Sequence, residues 1–167
     1  VYWPALVDSR HIKEIVYVDG KEIEVLPTNQ LNLEEKYYQK EPIEILDAPK
    51  GNSQLVHFGE LYGTRSGDKG GCANLGIWAK DNLSYSFLYE FLTVDKLKEL
   101  LPDLSEFNID RYDLSNIKTL NFYIHDILQD GISSNNKKDG QAKSLGEYLR
   151  AKLIEVPKKI LEGKKND

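Results

Sequence analysis

The stretch SQLVHFGELYGTRSGDKGGCANLGIWAK, Ser53 to Lys80, decides how the chain is read. Two partly apolar runs, 53–63 and 72–80, flank the polar run RSGDKGG, Arg65 to Gly71. Apolar residues alternating with small or polar ones predict strands over 54–63 and 72–80. A glycine-rich polar run between two strands predicts a hairpin loop. That loop gathers Arg65, Ser66, Gly67, Asp68, Lys69, Gly70 and Gly71, with Asn74 just behind. Glycines let backbone N–H groups turn towards a partner, and Arg and Lys add charge and forked donors. The expected occupant is therefore an anionic small molecule. The plainer alternative is a turn in which Arg65 and Lys69 pair with Asp68 and with carboxylates nearby. The run lacks the spacing of a Walker A loop and of GxGxxG.

Outward from this stretch, residues 84–101 read as helical, with Ser84 as cap and a restart at Thr93 that closes at Pro102. EFNIDRYD, 106–113, predicts a third strand, and IKTLNFYIHDIL, 117–128, a fourth. A polar loop spans 131–140. A last helix is expected over 139–154, capped by Asp139, with Ala142, Leu145, Leu149 and Leu153 on its buried face. The order ββαββα predicts an α+β two-layer sandwich: a ferredoxin-like antiparallel sheet with two helices on one face, and no iron–sulfur cluster implied. Upstream, HIKEIVYVDGKEIEVLP predicts a β-hairpin with strands at Ile15–Val18 and Ile23–Leu26 around Asp19-Gly20. Pro27, Pro42 and Pro49 punctuate an irregular linker. The expected organisation is a hairpin and linker at 1–50, the main domain at 51–157 and a basic tail at 158–167.

Composition narrows the function classes. No run of about 18 apolar residues exists, so no transmembrane helix is expected. The N-terminus has no basic-then-apolar secretory pattern. The single cysteine, Cys72, makes no internal disulfide and no cysteine-based metal site, and a reducing, cytoplasmic compartment is expected. A net charge of −5 argues against nucleic-acid binding. The chain starts at Val1 and holds no methionine, so a trimmed start, or a piece or subunit of a larger protein, is expected.

RSGDKGGCANLGIWAK, 65–80, resembles the RSGDKGGNANVGIWAR-type motif of the AtuA family, the acyclic terpene utilisation proteins. Arg111-Tyr112, Leu120-Asn121-Phe122, the stretch Gly131 to Ser134, and DGQAKSLGEYLRAKLIEVP at 139–157 follow in the family's order. The resemblance covers about residues 53–157. It implies the C-terminal ferredoxin-fold domain of AtuA-like proteins, which usually follows a much larger AtuA domain. It also implies a setting in catabolism of acyclic terpenes or related branched acyl-CoA compounds, with a CoA thioester as the suggested ligand. No cofactor and no metal are expected. Cys72 stands where the family often has Asn, so packing, not nucleophilic attack, is expected of it.

Several side chains suit an anion site. Arg65 is suited to clamp a carboxylate or phosphate through its fork, and Lys69 to add a point charge. Asp68 would orient them or act as a base. Asn74 and Asn121 offer amides that either hold the fold or meet a ligand. Lys143, Glu147 and Arg150, spaced four and three apart, form either a solvated ion-pair ladder or a face that completes the anion site. His11, His57 and His125 are isolated and are expected to be structural, and Ser66 lacks a GxSxG frame. Three roles follow. The first is an accessory or ligand-binding domain working with a large AtuA-domain polypeptide. The second is a dimerisation module that forms a homo-oligomer. The third is a small enzyme using Asp68 or Lys69 as acid or base.

Overall fold

The computed structural model describes residues 7–25 and 45–163. Residues 26–44, which hold Pro27 and Pro42 of the expected linker, and 164–167 of the tail lie outside the described residues. The chain divides into two compact units, Val1–Pro42 and Ile43–Asp167. In the first unit, β1 (Glu14–Val18) and β2 (Lys21–Val25) pair antiparallel with Val18 opposite Lys21. Asp19 and Gly20 both take positive φ, which is what a two-residue hairpin turn of the primed type needs. The expected hairpin is therefore present, one to two residues from its predicted ends.

The second unit is an α+β sandwich. Its four-stranded antiparallel sheet has the order β4 (Gly63–Lys69), β5 (Cys72–Trp78), β7 (Thr119–Ile124), β6 (Ile109–Leu114). Helices α2 (Asn82–Phe91) and α3 (Val94–Leu100) link β5 to β6, and α4 (Leu145–Arg150) follows β7. This ββαββα order is a ferredoxin-like βαββαβ unit read from its last strand. Alternation sorts the faces. Ala73, Leu75 and Ile77 of β5 and Leu120, Phe122 and Ile124 of β7 are buried under the helices. Leu88, Leu92, Leu97, Leu101 and Leu149 complete that core. Among the described residues no helix covers the opposite face.

The caps are local and strong. The Asp81 carboxylate accepts both the Ser84 N–H and the Ser84 hydroxyl at 2.7 Å, so Asp81, not Ser84, starts α2. Aspartate competes better there because one carboxylate serves two donors. Thr93 Oγ1 accepts Lys96 N–H at 3.1 Å and starts α3, as its sequence predicts. Asp81→Ala is expected to cost about 1 kcal/mol, measurable as a shifted urea midpoint with unchanged slope.

Three expectations need correction. The stretch 54–63 is not one strand: β3 (Ser53–His57) gives way to a helical turn, α1 (Phe58–Leu61), before β4 begins. Glu60 fixes that turn by accepting the His57 N–H at 2.9 Å. RSGDKGG is not a loop: Arg65 to Lys69 lie in β4, in register with Gly76 to Cys72, and only Gly70-Gly71 turn. Positive φ is confined to Gly70. The helix expected over 139–154 is short, and Leu153 opens β8 (Leu153–Pro157), which pairs antiparallel with β3. Leu153 is exposed, whereas Ile154 and Val156 are buried beside Val56. The run KLIEVP has period two, and this strand pairing prevails over the helical spacing of the leucines before it. A last helix, α5 (Lys158–Gly163), follows, with Ile160 buried.

Candidate functional site

Register decides where the charged side chains of β4 point. Side chains of directly paired residues share a face. Thr64 and Ser66 pair with Ile77 and Leu75, so they face the helices. Arg65, Gly67 and Lys69 pair with Gly76, Asn74 and Cys72, so they face the open side. Asp68 faces away from Arg65 and Lys69. It makes no ion pair with either among the described residues, which disposes of the internal salt bridge. Lys69 Nζ instead donates to the Asp68 carbonyl oxygen at 3.0 Å. Arg65 is exposed, and its guanidinium makes no hydrogen bond among the described residues.

β4 is an edge strand, and the segment leading into α4 covers its edge. Ser66 Oγ stitches the two together: it donates to the Lys143 carbonyl oxygen at 3.1 Å and accepts the Gly146 N–H at 3.0 Å. Gly146 is required here, because a Cβ would stand 2.8 Å from Thr64 Oγ1. The Lys143 side chain reaches round the edge, with Nζ 3.5 Å from where a Cβ on Gly67 would stand. Thr64, Arg65, Ser66, Lys143, Gly146 and Glu147 thereby line a cavity of about 260 Å³ at the sheet's edge. Glu147, in the cavity lining, has Oε1 3.6 Å from Arg150 Nη1. No Lys143–Glu147 ion pair forms among the described residues. Arg150 packs against Gly59, outside the cavity lining.

Asp139 sets the position of Lys143. Its carboxylate accepts the Lys143 N–H at 2.8 Å, the Ser144 N–H at 2.9 Å and the Ser144 hydroxyl at 2.6 Å. Partial burial pushes this carboxyl up, but the Ser144 and Lys143 bonds outweigh it and hold its pKa below the usual range. A depressed carboxylate contributes stability above its unfolded pKa, near 3.9, and loses it as pH falls through the folded value. Asp139→Ala should therefore cost about 1–2 kcal/mol at pH 7. The gap from the parent protein should close below about pH 4, as urea titrations at several pH values would report.

The open face holds the remaining candidates. Asn74 Nδ2 donates to Asn121 Oδ1 at 3.3 Å, on neighbouring strands. Asn121 Oδ1 sits over Gly76, whose absent Cβ leaves it room. This one bond joins the two amides beside Arg65 in the sheet register. Further along the face, His125 Nε2 lies 2.8 Å from Asp110 Oδ2, and the His125 ring meets Tyr123 edge-on. His57 Nδ1 lies 3.1 Å from the Ala151 carbonyl oxygen. Both histidines thus have partners, as expected of structural ones. Cys72 is half-buried and unpaired as a disulfide. It accepts the Asp126 N–H at 3.5 Å, and its hydrogen bond with Tyr123 pushes that hydroxyl's pKa up.

Of the twelve sequence candidates, the cavity therefore brings together Arg65, Ser66, Lys143 and Glu147, with Gly67 beside Lys143. Asp68, Lys69, Gly70 and Gly71 lie along or beyond the end of β4, Asn74 and Asn121 on the open face, and Arg150 outside. Thr64 and Gly146 were not among the candidates. Thr64 precedes the charged run, and the packing of Gly146 on it depends on a contact 82 positions away. A second cavity, about 230 Å³, lies elsewhere, with Leu101, Leu104, Ile127, Leu128 and Leu145 in its walls. Among the described residues no group of three or more His, Cys, Asp or Glu could hold a metal ion. No helix among them is long and apolar enough to cross a membrane.

Sheet order, the Arg-Ser-Gly-Asp-Lys strand and its helix-covered edge define a ferredoxin-like α+β domain. Residues 56–155 match the AtuA ferredoxin-like domain, and the chain belongs to that family. No curated protein and no solved structure matches the chain.

Proposed function

We propose that this chain is an accessory, ligand-binding domain or small subunit of an AtuA-type protein. Its setting would be catabolism of acyclic terpenes or related branched acyl-CoA compounds. The β4–α4 edge cavity would receive the anionic end of the ligand. One observation carries this reading: among the described residues the Arg65 guanidinium has no hydrogen-bond or ion-pair partner, while Lys143 is held beside the same strand. A charged fork without a carboxylate is available to a carboxylate or phosphate from outside. The Asn74–Asn121 pair adds polar surface beside it for the rest of the ligand. A large AtuA-domain polypeptide would supply the remaining walls and any bond-breaking step.

Calorimetric titration of the 167-residue protein with a branched acyl-CoA thioester tests this. Saturable binding that weakens with added salt is expected. An absence of heat at millimolar ligand would reject it. The second reading, a dimerisation module, is favoured by exposed Trp78 and Tyr112 on the open face, 42% and 51% accessible. Sedimentation separates the two: a tight dimer that binds no oxyanion would favour the module.

A further inference from the structure

Thr64 is 9% accessible, and its Oγ1 is a buried polar atom with no hydrogen-bond partner. A buried hydroxyl left unpaired is costly, and native structures satisfy nearly all such atoms. The orphan does not stand in an apolar core. Thr64 lines the edge cavity, and Oγ1 faces Gly146, which lines it too. The neighbouring hydroxyl is already committed, since Ser66 Oγ both donates and accepts. Among the described residues Thr64 thus carries the uncommitted hydroxyl in the lining of this cavity, which Arg65 and Lys143 also line, reaching it from the open side of the strand.

We propose that Thr64 Oγ1 is the inner contact of an oxyanion site, donating its proton to a carboxylate or phosphoryl oxygen that Arg65 and Lys143 neutralise. This rests on the anion-binding reading above and assigns its innermost donor. A hydroxyl adds direction to two mobile cations. Its loss should therefore weaken binding while relieving the buried orphan in the free protein.

Valine has nearly threonine's shape without the hydroxyl, so Thr64→Val separates ligand contact from packing. Inorganic phosphate and acetate serve as probes, followed by amide shifts of Ser66, Lys143 and Gly146 in the full 167-residue protein. The parent protein is expected to bind at least one probe. Response to phosphate alone would mark a phosphoryl ligand, to acetate alone a carboxylate, and to both a general oxyanion site. Thr64→Val should weaken that binding about tenfold, with equal or raised thermal stability. Thr64→Ser, which keeps the hydroxyl, should bind within about threefold of the parent, and Thr64→Ala replaces Thr64→Val should the latter not fold. If Thr64→Val or Thr64→Ala binds like the parent while Arg65→Ala does not, the inner-contact assignment is overturned and the anion site stands. If the parent binds neither probe, both fall.

Discussion

Gly71→Ala is expected to destabilise the protein by about 3 kcal/mol, lowering the melting temperature by on the order of 10 °C. A Cβ on Gly71 would stand 1.9 Å from the Gln129 carbonyl oxygen. That oxygen belongs to backbone, and the turn that carries it is anchored on both sides. Leu128 N–H donates to the Gly71 carbonyl oxygen at 2.8 Å, and Gly131 N–H to that of Leu128 at 2.9 Å. Leu128 itself is fully buried. Moving the carbonyl aside would break the first bond or pull a leucine out of the core. Two neighbouring glycines give the controls. A Cβ on Gly63 would meet the Trp78 ring at 2.2 Å, but Trp78 is exposed and free to swing away. Gly70 has open space and a φ of +64°, so Gly70→Ala costs only the strain of a left-handed backbone, about 1 kcal/mol. Thermal melts of the three variants should therefore rank Gly71→Ala as the most damaging.

The second large effect is on binding. Arg65→Ala combined with Lys143→Ala is expected to reduce oxyanion affinity about a hundredfold, because each charge-assisted hydrogen bond contributes about 1.5–3 kcal/mol. Stability should change by no more than about 0.5 kcal/mol, since both side chains are exposed and neither forms an ion pair among the described residues. Residual binding in the double variant should lose most of its salt dependence, whereas the parent's should weaken as salt screens the cations. Calorimetry at two salt concentrations reads affinity and screening together. A double variant that binds like the parent would place the anion elsewhere.

The contrast between these variants reflects what the sequence made legible. The fold class followed from strands and helices with clear periodicity, and from local punctuation such as Thr93 and Asp19-Gly20. RSGDKGG reads as a loop in the sequence because three glycines and three charges in seven residues look like turn chemistry. In the structure two of those glycines mark close approaches. Gly67 leaves space for the Lys143 ammonium and Gly71 for the Gln129 carbonyl. Both neighbours come from more than fifty positions downstream, and no local pattern announces them. The joining of Lys143 and Glu147 to Arg65 was among the sequence readings, because charge spacing on a last helix suggested a face. Thr64 was missed because a threonine in a strand carries no signal until its hydroxyl is seen to lack a partner. The pairing of β8 with β3 was missed for a similar reason, since it joins residues about a hundred positions apart.

The most direct test of the account is an amide-resolved titration of the whole protein with a branched acyl-CoA thioester. The predicted result is a saturable set of shifts concentrated at 64–67 and 143–147, on both sides of the β4–α4 edge. Shifts confined to the leucine-lined cavity around Leu101 and Leu128, or none at all, would contradict it.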